Sequence, residues 1–263
     1  MRRHLRLFAL YFAQYVKVRL AYKADFFIAF FSSMAATIIA FGFVLVLFTK
    51  IPKLQGWSFY EILFLYAFSL VPLGFFNVVS WNLYEFGDIY IIQGQLDRVL
   101  LRPVHTLFQV PFEKSRIESL QEVVTGLAAI AICRAHLGRV WSALDGAWFV
   151  LMIFSAVLIY LSVFLILTSA SFWFEDRVGI VPPVFNMLNF GRYPLTIYNT
   201  FIQFMLSWII PFGFASFYPT THFLGRPDFE MYFHLTPLVA AVFAALAVFV
   251  WNQGVRNYSS TGT

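Results

Sequence analysis

The chain has 263 residues, of which 60% are hydrophobic and 12% charged, with a mean hydropathy of +0.76. Soluble domains carry roughly 25% charged residues, and a soluble chain of this length has no interior that could hide 34 Phe rings, so a water-soluble fold is excluded. The net charge of +5 is no argument for nucleic acid, because Lys and Arg also collect in cytoplasmic loops, and the one cysteine, Cys133, excludes an intrachain disulfide or a Cys-x-x-Cys metal cluster.

The first 24 residues contain Arg2, Arg3, Arg6, Lys17, Arg19 and Lys23, with no uninterrupted apolar core and no small-residue cleavage site. A removable signal peptide is therefore not expected. On a helical wheel Leu5, Phe8, Phe12, Tyr15 and Val16 share one side, with Arg2, Arg3, Arg6 and Lys17 roughly opposite. That pattern fits an amphipathic helix in the cytoplasmic interface; a basic stretch that only sets topology fits it too.

A span needs about 20 mainly apolar residues, because a helix rises ~1.5 Å per residue through a hydrocarbon core of ~30 Å. Six segments qualify or nearly do. Phe26–Phe48 carries no charge and lies between Asp25 and Lys50; Ile62–Val79 has Glu61 at its mouth and Pro72 within. Leu120–Ile132 is short, Ala147–Ser169 is strong, Thr200–Phe217 is broken by Pro211 and Gly213, and Pro237–Trp251 closes the set. The expected fold is all-α and polytopic: an interface helix over 1–24 and one six-span domain over 25–263.

Basic residues orient the spans. With both termini inside, the cytoplasmic segments hold the six N-terminal residues, Arg98, Arg102, Lys114, Arg116, Arg177, Arg192 and Arg256, against Lys50, Lys53, Arg134, Arg139 and Arg226 outside. This asymmetry predicts an N-in, C-in protein of the inner membrane. It also accounts for the net charge without nucleic acid.

No G-x-x-x-x-G-K-[ST] loop is present to cradle phosphates, nor H-E-x-x-H, G-x-S-x-G or a His/Asp/Glu cluster with metal spacing. No catalytic, cofactor or metal residue is expected. Charge is nearly absent from the predicted spans: only Glu118 and Glu122 intrude, near the cytoplasmic end of the third. Ion-coupled carriers place charge at mid-membrane, so an ion-coupled transporter or channel subunit is the weaker alternative, and energy for transport is expected from elsewhere. Asn257-Tyr258-Ser259 matches a glycosylation triplet but falls in the cytoplasmic tail.

The loop between spans two and three reads G-Q-L-D-R-V-L-L-R-P-V-H from Gly94 to His105. Gly94 can end one helix and Asp97 suits the start of another, closed by Pro103. The residues fit a short helix parallel to the membrane that docks a cytosolic partner; they also fit a plain surface turn. This stretch resembles the G-x-L-D-x-x-L-x-R-P loop of bacterial type-2 ABC exporter permeases, in particular the small six-span group. Arg192-Tyr193-Pro194-Leu195-Thr196-Ile197-Tyr198 is similar to the Y-P-x-x-I-Y element leading into span five. Ile210-Pro211-Phe212-Gly213-Phe214-Ala215, followed by Tyr218-Pro219, is similar to the I-P-x-x-F stretch beyond it.

The resemblance implies a permease whose N-terminal helix contacts a nucleotide-binding subunit. Gly94, Leu96, Asp97, Arg98, Leu101, Arg102 and Pro103 would form the coupling helix, with Arg98 and Arg102 in the docking. A separate cytosolic ATPase dimer would bind ATP and Mg, and a second permease, identical or homologous, would complete the membrane unit. The 211–237 segment would re-enter from outside as a cap. Phe41, Phe68, Phe76, Phe204, Trp208 and Pro211 are candidate walls of the pathway, suited to hydrophobic, amphipathic or cationic cargo; core packing or lipid contact explains the same rings. Ser33, Ala36 and Ala40, and Ala240, Ala244 and Ala247, are small enough for close helix contacts.

Overall fold

The computed structural model describes residue 17 and residues 23–174 and 181–259. The interface helix expected over 1–24 lies, except for Lys17, Lys23 and Ala24, outside the described residues. Twelve helices follow in chain order: α1 (Lys23–Lys50), α2 (Phe59–Ser80), α3 (Gln95–Leu100), α4 (Thr106–Phe112), α5 (Leu120–His136), α6 (Ala143–Ser169), α7 (Ser171–Phe174), α8 (Val181–Met187), α9 (Thr200–Phe204), α10 (Phe212–Ala215), α11 (Phe217–Phe223) and α12 (Glu230–Asn257). No strand occurs among the described residues; Leu54 and Trp57 form one isolated bridge.

Local chemistry sets the helix ends. Glu61 Oε2 accepts from the Ser58 backbone N–H and hydroxyl, both at 2.8 Å, at the head of α2. Asp145 and Ser142 form the reciprocal pair at the head of α6. Gly94 and Gly225 turn the chain with φ of 68° and 66°, a conformation costly for side-chain-bearing residues.

Four helical stretches are long and apolar enough to cross a membrane: Lys23–Lys50, Phe59–Glu85, Ala143–Phe174 and Pro227–Asn257. A fifth is available if Thr200–Ile209 and Phe212–Phe223, bent by 72°, form one broken span. The predicted third span is α5, whose 17 residues fall short of the roughly 20 that a bilayer asks for. The predicted sixth span began at Pro237, but α12 starts at Glu230 and runs through that proline.

The helix α2 lies at the centre, packed chiefly on α5 and also on α6, while α12 packs along α6. Two glycines let α2 and α5 touch. A Cβ on Gly126 would lie 2.7 Å from the Ala67 carbonyl oxygen, and one on Gly74 would lie 2.7 Å from Val123 Cγ2 and 3.0 Å from the Ser119 oxygen. Ala240 and Ala247 are buried in α12. In contrast α1 buries only Thr37 and Val44. Its Phe27, Phe31, Ile38, Ile39 and Phe43 are exposed.

Gly126→Ala should force the two backbones apart at a cost of about 1–3 kcal/mol, read as a lower unfolding midpoint in detergent. Gly42→Ala is the control, because nothing lies within 4 Å of its added methyl; it should leave the midpoint unchanged or raise it.

Candidate coupling site and membrane-depth cavity

Gly94 ends a π-helical turn (Gly87–Ile92) and opens α3. Leu96 and Val99 face inward and are fully buried. Leu100 and Pro103 are exposed on the other side, and Leu101 is 87% exposed.

Both arginines of α3 and the turn after it lie close to Glu113. Arg98 Nη2 lies 2.6 Å from Glu113 Oε1, and Arg102 Nη1 lies 4.0 Å from the same oxygen. The Tyr90 hydroxyl donates to Glu113 Oε2 at 2.6 Å and accepts from Asn82 Nδ2 at 2.7 Å. Asn82 Nδ2 also donates to the Val110 oxygen at 2.7 Å. Burial, with Glu113 beside it, pushes the Tyr90 phenol well above its usual range.

The end of α12 closes the cluster. Trp251 Nε1 donates to Thr106 Oγ1 at 3.0 Å, and its ring meets Phe86 and Phe172. Burial and the nearby Asp97 carboxylate push the Tyr258 phenol up to about 12. A groove of 430 Å³ opens alongside, lined by Val104, His105, Thr106, Asn252, Val255 and Arg256.

Of the expected coupling residues, Gly94 and Leu96 are structural, Leu101 and Pro103 are presented outward, and Arg98 and Arg102 lie against Glu113. Glu113, Tyr90 and Asn82 carry no sequence motif that marks them. Fifteen residues separate Arg98 from Glu113, and no local spacing rule links them.

The aromatic candidates divide. Phe68 packs on Phe149 and Phe223, and Phe76 stacks on Phe164 at 5.0 Å; both are buried. Pro211 is buried at the break before α10. Phe204 and Trp208 are 55% and 50% exposed, and Phe41 is half-buried against Tyr66.

The segment 190–198 departs from expectation. A cytoplasmic loop is expected there, yet Arg192 Nη1 donates to the Tyr66 hydroxyl at 2.6 Å, and Tyr66 lies in the half of α2 away from α3. Thr196 Oγ1 accepts from Trp57 Nε1 at 3.0 Å, at the end of the molecule opposite α3. Buried Leu188, Gly191, Pro194 and Leu195 anchor this irregular, partly exposed stretch in the core, with Ser216 Oγ donating to the Gly191 oxygen at 2.6 Å. Irregular backbone is tolerated at such depth only where protein or a polar cavity surrounds it.

Such a cavity is present. It measures 130 Å³ and is lined by Ser33, Ala36, Thr37, Ala40, Tyr66, Leu70, Glu122 and Arg192. Glu122 Oε1 accepts from Ser33 Oγ and its Oε2 from Asn77 Nδ2, each at 3.2 Å; Gln121 Nε2 donates to Ser33 Oγ at 2.9 Å. The spans are therefore less free of charge than composition suggested. Glu118 is buried beside Arg116 instead, at 3.6 Å.

At the opposite end, Arg226 donates to Glu61 Oε1 from Nε at 3.0 Å and from Nη2 at 2.8 Å, and its guanidinium sits 3.8 Å over the Trp57 ring. This ties the turn after α11 to the head of α2.

Residues 31–262 match a family model described as ABC-2 family transporter protein. Comparisons with curated proteins and with solved structures gave no match.

Glu113→Ala would strip the buried Tyr90 hydroxyl and the half-exposed Arg98 of their shared acceptor. The expected cost is roughly 1–2 kcal/mol, seen as faster hydrogen exchange over 87–103 with unchanged protection around Glu61.

Proposed function

The chain belongs to the ABC-2 transporter family, a multi-pass membrane component of ATP-driven transport, and on that premise we propose that it is the permease subunit of an exporter in the bacterial inner membrane. Its termini face the cytoplasm, and a separate cytosolic ATPase dimer binds ATP and Mg and supplies the energy. A second permease, identical or homologous, completes the pathway. Six spans result if α5 and the bent α9–α11 segment both cross.

One observation carries the reading. The helix α3 and the turn after it offer Leu100, Leu101 and Pro103 outward, while Arg98 ties α3 through Glu113, Tyr90 and Asn82 to the 81–85 turn beyond α2. A partner pressing on that apolar tip acts on the central helix through the 87–92 turn, α4 and the Asn82–Tyr90–Glu113 hydrogen bonds. ATP-driven closure of the partner then tilts α2 with α5 and alternates access to the pathway. The exposed face of α1 supports pairing with a second permease or with lipid. Exposed Phe204 and Trp208, with half-buried Phe41, remain candidates for cargo contact.

Leu101→Asp should weaken co-purification of the ATPase about tenfold or more, as loss of an apolar interface anchor does. Glu113→Gln should leave association intact and lower transport-coupled ATP turnover. Association and turnover unchanged by Leu101→Asp would overturn the docking assignment.

The ion-coupled alternative gains support from two charged side chains, Glu122 and Arg192, lining one cavity beside α2. Uptake into inverted vesicles separates the two: the exporter reading expects strict dependence on ATP, the alternative dependence on an ion gradient.

A further inference from the structure

We propose that the cavity between α1, α2 and α5 binds the zwitterionic head of an amphipathic molecule, with Glu122 receiving its cationic group and Arg192 its anionic group. The two charged side chains line the same 130 Å³ space and act on each other electrostatically, yet no ion pair within 4.0 Å joins them among the described residues. Opposite charges inside an apolar bundle attract strongly, and leaving them apart is costly unless something polar lies between them.

Their remaining bonding capacity points the same way. Glu122 takes one hydrogen bond on each oxygen, from Ser33 and Asn77, and keeps free lone pairs. Arg192 bonds Tyr66 through Nη1, while its Nε is buried with no partner among the described residues. Asn77, which holds Glu122, has a buried side-chain Oδ1 with no partner among the described residues. Buried polar groups are rarely left so.

Charge balance selects the ligand class. A simple cation attracted to Glu122 would meet Arg192, and a simple anion would meet the reverse; a head carrying both charges a few bonds apart meets neither penalty. Volume limits what enters. Sites for whole drug-sized ligands measure about 300–1,000 Å³, so only a polar head fits. Ala36 and Ala40 keep the α1 wall low, and the neighbouring Ile38 and Ile39 are exposed, leaving an apolar flank along which a tail can lie.

The test uses the full chain in a non-ionic detergent and reads bound amphiphile by native mass spectrometry. No nucleotide or ATPase is present, so failure here leaves the coupling reading standing, and the reverse holds. Three probes share one dodecyl tail: dodecylphosphocholine, dodecyl phosphate and dodecyltrimethylammonium. The zwitterion should be retained about tenfold better than either singly charged probe. Glu122→Gln should erase the preference. Ala36→Phe fills the cavity from an exposed helix position without touching either charge, and should abolish zwitterion retention even if Glu122→Gln does not fold.

Phosphatidylethanolamine that co-purifies and is displaced by the probe identifies a resident lipid; binding only of added probe identifies cargo. Either supports the site. Equal retention of the three probes, or a preference that survives Ala36→Phe, overturns it.

Discussion

Lipid offers no hydrogen bonds, so each polar group that the chain carries into the bundle has to find its partner there. The structure is organised around that demand. Ser69, Ser162, Ser169 and Thr236 donate to carbonyls three or four residues back on their own helices. Trp57 and Trp251, both buried, send their indole N–H groups to Thr196 and Thr106. Where the irregular 188–198 segment meets the core, Ser216, Tyr66 and Trp57 bond its polar atoms.

The same demand makes α2 a mechanical centre. Its head is held by Glu61 and Arg226, its middle lies against α5 through two glycines, and beyond its tail Asn82 and Tyr90 connect to α3. Dispersion contacts are short-ranged, so close glycine crossings couple helices tightly. By contrast α1 is sparsely packed and buries only Thr37 and Val44.

The candidate site was only partly legible. Gly94 to Pro103 could be recognised from a glycine, an acidic helix start and a proline in sequence, since each acts on its own backbone. The role of Arg98 could not, because its partner Glu113 is brought near by the turn between α3 and α4. The near-absence of charge in the spans was a weaker argument than it looked: Arg192, assigned to a loop, lies beside Tyr66 and shares a cavity with Glu122. The family match, not the lack of membrane-depth charge, carries the transport conclusion.

Hydropathy and charge by themselves determined that this is a helical membrane protein, where its main spans lie and which loop is distinctive. Those properties are sums over neighbouring residues, and lipid reads them locally. Tertiary structure alone decided that the 190–198 segment is anchored on the core, that Phe68 and Phe76 fill that core, and that Glu122 and Arg192 share a cavity. These depend on groups distant in the chain meeting one another, and pairwise contact at long separation leaves no period or composition for a single sequence to display.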